Sequence, residues 1–179
     1  SCLFFFFLRK APMRYVLEFF TIILPHPTKF CQYFILLIEN FNLYSDEDGV
    51  KHIRIKARPN KWHENDCPFC HKSCPAYDKH SSRPTTWRGL DWGGILVEVE
   101  YQTHRIICLE HGVYVAEVPW AYPGNRFTKD FDLTVAWFAS YLPRSTTSYF
   151  MRVDWETVGR CVNRALHDLE PERSRRLDG

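Results

Sequence analysis

No stretch of this 179-residue chain reaches the roughly 18–20 uninterrupted apolar residues that a membrane-spanning helix needs. The runs that come nearest are Leu3–Leu8, Phe19–Leu24 and Phe30–Ile38, the last broken by Gln32. Arg9, Lys10, Arg14, Glu18, His26 and Lys29 interrupt them, and Pro25 and Pro27 break any helix there. A small-residue cleavage site is also missing, which argues against a secretory signal. Charge of one sign is scarce as well: the net charge is only +2, so nucleic-acid binding has to be argued from local patches. Absent too are a carboxylate pair, a nucleophile with its base, and a phosphate-cradling loop, so the chain does not read as an enzyme in its own right.

What is present is a globular composition, 45% apolar and 25% charged, with seven cysteines. Their clustering, with no signal peptide, points to reduced thiols and a cytoplasmic location with no membrane partner. Cys67-Pro68-Phe69-Cys70 is answered by Cys108-Leu109-Glu110-His111-Gly112. Each is a closely spaced pair of soft ligands, and two such pairs make a closed tetrahedral site of the kind that holds structural Zn2+. Cys67, Cys70, Cys108 and His111 are therefore the metal candidates, with zinc ahead of iron because a histidine belongs to the set. His71 and Cys74 compete as ligands but rank below, since their use leaves the second pair unexplained. A thioredoxin-like redox dithiol lacks its strand-to-helix start here.

Residues 1–40 are read as a hydrophobic, helical N-terminal segment without assigned function. The chain starts at Ser1, and Met13 is an alternative start. Residues 41–121 are read as the zinc-binding β module. Asp46–Gly49 is a turn, and Lys51–Arg58 alternates Ile53, Ile55 and Ala57 with Arg54, Lys56 and Arg58. That basic face is either a nucleic-acid patch or a solvated strand face. Tyr77–Thr86 is a polar stretch. Strands are expected at Ile95–Tyr101 and Arg105–Leu109, joined as a hairpin through Gln102-Thr103, with Trp87, Trp92 and Trp120 covering a small core. The metal would supply much of the stability of a module this small.

From residue 122 to 170 the period changes to that of helices. Thr128 is an N-cap for a helix with Phe131, Val135, Phe138 and Ala139 or Leu142 on one face. Thr146–Arg152 follows, and Asp154 then caps a helix from Trp155 to about Leu169, stopped by Pro171. Its expected apolar stripe is Trp155, Val158, Val162, Ala165, Leu166 and Leu169. The opposite face carries Thr157, Arg160, Asn163 and Arg164, residue types able to contact phosphate or base edges, as in a helix-turn-helix. A plain three-helix bundle with a solvated polar face is the other reading. Residues 171–179 are a charged connector. The expected fold is α+β: a small zinc-bound antiparallel β module followed by a three-helix helix-turn-helix domain.

The motifs Cys67-Pro-x-Cys70, Tyr77-Asp78 and Trp87-Arg88-x-Leu90-Asp91-Trp92-Gly93-Gly94 recur in a known order with a second set. That set is Cys108-x-x-His111-Gly112, Val118-Pro119-Trp120-Ala121, Arg126-Phe127-Thr128 and Val153-Asp154-Trp155-x-Thr157-Val158-Gly159. Over residues 50–179 the chain resembles bacterial insertion-sequence transposases of the ISL-three family. In that family a zinc-binding module and a helix-turn-helix precede an RNase-H-like catalytic domain. The resemblance implies Zn2+ on Cys67, Cys70, Cys108 and His111, and a DNA-reading helix from Trp155. It also implies terminal inverted repeats of double-stranded DNA as the partner, nucleoid association, and a homodimer as a candidate assembly. None of the acidic residues here matches the family's catalytic triad, and residues 1–40 look unlike its usual start. The expectation is a transposase fragment that binds DNA in transposition but does not cut it. The alternative is a stand-alone zinc-containing helix-turn-helix regulator or interaction protein.

Overall fold

The computed structural model describes residues 36–79 and 83–177, with side chains as far as His167. The expectation of a helical segment falls, for residues 1–35, outside the described residues. Residues 36–40 are strand instead, because Leu36–Ser45 (β1) pairs antiparallel with Lys51–Pro59 (β2) along its whole length. The turn between them is built as its composition suggests. Gly49 takes a positive φ of 77°, and the Asp46 carboxylate accepts from the Val50 amide at 2.7 Å.

Thr85–Arg88 (β3) and Leu96–Tyr101 (β4) complete a four-stranded sheet in the order β1-β2-β4-β3. The β2–β4 pairing is parallel, opposing Ile53 to Val97 and Ile55 to Val99. The module is thus mixed, not purely antiparallel. Arg105–Cys108 (β5) and Gly112–Val115 (β6) form a separate two-stranded ribbon. The expected β4–β5 hairpin does not form, because both edges of β4 are already occupied by β2 and β3.

The alternation read in β2 holds: Ile53, Ile55 and Ala57 are buried. Its basic face, however, is neutralised. Arg54 donates from Nε to Glu98 at 2.9 Å, and Arg58 lies 3.1 Å from Glu39, which Lys56 also approaches. Arg54, Lys56 and Arg58 thus pair with acids of the neighbouring strands. Trp87 and Trp120 meet edge to face at 5.6 Å and, with Tyr101, Val118 and Ala121, form the sheet core. Trp92 stays half-buried in the turn before β4, paired to Ile95.

Three helices follow: Lys129–Tyr141 (α1), Arg144–Met151 (α2) and Trp155–Leu177 (α3). Thr128 caps α1, its hydroxyl accepting from the Phe131 amide at 3.3 Å. Phe131 and Val135 bury against Val158 and Cys161 of α3. Arg88 ties the sheet to the helices, donating to the carbonyls of Met151 at 3.0 Å and Arg152 at 2.8 Å. The helix expected to stop at Pro171 runs on to Leu177. A proline removes one amide donor, but Glu170, Glu172, Arg173, Arg175 and Arg176 around it are strong helix formers. Among the described residues no helix is long and apolar enough to cross a membrane.

The helices are held in register by one fully buried acid. Asp132 accepts two hydrogen bonds from Arg164, both at 2.8 Å, and one from Asn125 at 2.8 Å. The bidentate geometry is that of a strong ion pair. Arg164→Ala would strand the carboxylate in the core, so we expect a loss of about 3–5 kcal/mol in a urea titration. Adding Asp132→Asn to that variant should recover part of the loss.

At the start of α3 the Asp154 carboxylate accepts from the Thr157 amide at 2.7 Å and from its hydroxyl at 2.6 Å. The Thr157 hydroxyl bond, first, then the amide bond hold this carboxyl below its ordinary value of 3.8. A depressed acid stabilises the fold above its unfolded pKa and loses that contribution as pH falls through the folded one. The stability difference between the wild type and Asp154→Ala should therefore be constant near neutrality and shrink as pH falls below about 4.

Candidate metal centre

Two tight turns face each other at the β5–β6 end of the molecule. In the first, the His71 amide donates to the Cys67 carbonyl at 2.9 Å and the Cys67 amide to the Lys72 carbonyl at 3.0 Å. The chain leaves this turn through His71 in the left-handed region, φ 55°, a conformation in which histidine is over-represented among side-chain-bearing residues. The second turn is the β5–β6 connection, and there Gly112 supplies the left-handed residue at φ 83°. Both turns thus have one construction: ligand, two residues, ligand, then a left-handed exit.

Backbone pairing brings them together. The Ile107 amide donates to the Pro75 carbonyl at 3.0 Å and the Tyr77 amide to the Arg105 carbonyl at 2.8 Å, laying the exit of the first turn along β5. The Glu117 amide closes the other side on the Asp66 carbonyl at 2.8 Å. As a result the ligand atoms of Cys67, Cys70, Cys108 and His111 all lie within 4.8 Å of one another. Cys70 and Cys108 sulfurs are 3.8 Å apart, and His111 Nδ1 stands 3.7 Å from Cys67 Sγ and 3.5 Å from Cys108 Sγ. These four residues could hold a metal ion.

Cys67 is fully buried, and Cys108 is 5% exposed. Phe69 covers the exposed edge, its ring 5.2 Å from His111 and 4.9 Å from Tyr114. The His111 ring holds the Cys108 thiol down at about 6, favouring the thiolate a metal requires. The two competing ligands stand outside the set. His71 Nδ1 lies 2.6 Å from Glu117, and the Cys74 thiol donates to the Lys72 carbonyl at 3.3 Å. Burial pushes the Cys74 thiol up to about 11.

The four residues predicted to contact DNA differ in exposure. Arg160 and Asn163 are exposed. Thr157 is 4% exposed and bound to Asp154, and Arg164 is taken by Asp132. The buried stripe of α3 is Thr157, Val158, Cys161 and Ala165, rotated from the expected one. Trp155 and Leu166, counted as core, are 58% and 52% exposed, and the Leu169 side chain lies outside the described ones. Asp132 was the missing signal: an acid in the first turn of a helix reads as a dipole partner, not as the anchor of a distant arginine.

Two curated proteins match this chain, both described as the transposase for insertion sequence element IS1557, from Mycobacterium tuberculosis strains CDC 1551 / Oshkosh and ATCC 25618 / H37Rv. Each is 35% identical over 136 residues, covering 75% of this chain. Over those residues the chain is related to a transposase. It spans only 30% of the length of those relatives. No family model matches, and no solved structure does.

The chain purified without added metal should carry a single bound ion by elemental analysis, and Cys67→Ser with Cys108→Ser should lose it. Chelation should remove hydrogen-exchange protection from residues 105–115 first, because the core there is small: Cys67, Ile106, Cys108 and Ala116.

Proposed function

We propose that this chain is a zinc-stabilised module that binds double-stranded DNA, of the kind that recognises element ends in an insertion-sequence transposase. The observation that carries the reading is the 35% identity to IS1557 transposases across 136 residues, a span of this 179-residue chain that must include the metal cluster. Placement of residues 50–179 in the ISL-three family, from their motifs, belongs to the same proposal.

Zinc is the ion the ligand set favours. Zinc–sulfur bonds of about 2.3 Å and zinc–nitrogen bonds of about 2.0–2.1 Å give tetrahedral edges of about 3.8 Å between sulfurs and about 3.6 Å from sulfur to nitrogen. The separations of 3.8, 3.7 and 3.5 Å fit those edges. Three thiolates and an imidazole suit zinc and exclude the hard cations. With four protein ligands the site is closed, so the ion orders the two turns and takes no part in chemistry.

The DNA-reading element is the pair α2 and α3. Three residues, 152–154, join them, with Arg152 in the left-handed conformation (φ 52°) and Asp154 capping α3. A short helix, a tight turn and a second helix packed on a third is the helix-turn-helix arrangement. On α3 the exposed Arg160 suits guanine, whose major-groove edge accepts two hydrogen bonds, and Asn163 suits adenine. Thr157 and Arg164 support this face from beneath: Thr157 accepts from Arg160 at 2.7 Å, and Arg164 anchors the helix through Asp132.

Selection from a random duplex pool should return an enriched motif. Arg160→Ala and Asn163→Ala should each weaken binding to it by about 1–3 kcal/mol and relax preference at one position. Recovery of no motif, with affinity indifferent to both substitutions, would contradict the reading.

A further inference from the structure

Gly159 sits in the interior of α3, where glycine is among the poorest helix formers. Its backbone is right-handed, so no positive φ requires it. What its missing side chain does is leave room for the tip of a side chain from the neighbouring helix. A Cβ at this position would come within 1.7 Å of a terminal nitrogen of Arg144 and 2.9 Å of its Cζ. Arg144, the first residue of α2, reaches across to lay its guanidinium on the bare backbone of Gly159. The same guanidinium lies 4.9 Å from the centroid of the Trp155 ring. It is therefore held between an aromatic face and a glycine, with no carboxylate paired to it among the described residues.

This arrangement does not look after folding alone. Arg144 and Trp155 are both exposed, so neither fills a core. Stacking engages the flat face of a guanidinium and leaves its in-plane N–H groups free to donate, the geometry in which arginine grips a phosphate with two bonds. Restraint on two sides also lowers the entropy lost when such a contact forms. Trp155, Gly159 and Asn163 are spaced by four, so the guanidinium lies on the same line of α3 as Asn163. In helix-turn-helix proteins the helix preceding the reading helix is the one that crosses the sugar-phosphate backbone.

We propose that Arg144 is a backbone-phosphate clamp for duplex DNA, seated by Gly159 and Trp155 so that Arg160 and Asn163 are set in register over the bases. The proposal rests on the DNA-binding reading of α2 and α3. It also accounts for a glycine in the middle of the reading helix.

The test measures the affinity of the full chain for a labelled duplex of mixed sequence over a range of salt concentrations. Each phosphate neutralised contributes about 0.9 to the slope of log affinity against log salt. Arg144→Ala should lower that slope by about one, and Arg144→Lys should keep it, since the charge remains. Gly159→Ala removes no charge but displaces the guanidinium, so it should lower the slope by part of that amount. Its melting temperature should stay level or rise, because alanine favours the helix. A loss of binding without a loss of stability is what a merely structural glycine would not show. Wild-type slopes in Arg144→Ala and Gly159→Ala, with binding weakened in Arg160→Ala, would overturn the clamp alone. A wild-type chain with no salt-dependent affinity for the duplex would overturn the DNA reading and the clamp with it.

Discussion

The convergence of Cys67, Cys70, Cys108 and His111 is the constraint on which the β5–β6 end of the molecule depends. Around it the apolar core is only Cys67, Ile106, Cys108 and Ala116, with Leu109 and most of β6 facing solvent. Burial on that scale does not hold two turns and a ribbon of two four-residue strands against their conformational entropy. An ion held by two thiolates of one turn and a thiolate and an imidazole of the other would supply the missing cross-link. Backbone pairing does the positioning beforehand: the segment after Cys74 is zipped to β5, and the left-handed residues His71 and Gly112 turn the chain out of each ligand pair.

The helical part depends on a different device. Asp132 and Arg164 form a bidentate pair whose carboxylate is fully buried, so the Arg164 guanidinium is already engaged inside the protein. For the DNA-binding role we propose, this means a smaller reading face than the helix sequence suggests. Arg160 and Asn163 remain on it, and Arg144 joins them from the neighbouring helix. Thr157 ties the cap of α3 to Arg160, so the integrity of the helix start and the orientation of the exposed arginine are linked.

Much of this was legible in the amino-acid sequence, where the signal was local. Ligand spacing in the two turns, the alternation of β2, the Thr128 cap and the turn before Asp154 each depend on residues a few positions apart. What was not legible depends on partners chosen at a distance. The parallel β2–β4 pairing takes the edge of β4 that a hairpin with β5 would need, and no property of β4 alone announces it. The phase of α3 was misread for a related reason. Hydrophobic periodicity counts Trp155 and Leu166 as interior and Thr157 and Arg164 as exterior. Hydrogen-bond partners reverse the assignment, because a threonine on a capping carboxylate and an arginine on a buried one lose little by leaving water. The glycine at 159 gave the same kind of signal: it makes sense only once Arg144 is seen lying on it.

Which residues meet DNA is the most direct test of the proposed role. An NMR titration of the metal-loaded chain with a mixed-sequence duplex would show this residue by residue. Perturbed side-chain resonances are expected at Arg144, Arg160 and Asn163, with the Cys108–Gly112 turn and the Arg54–Glu98 face of the sheet unmoved. Perturbations confined to that sheet face or to the metal turns, or none at all, would contradict that role.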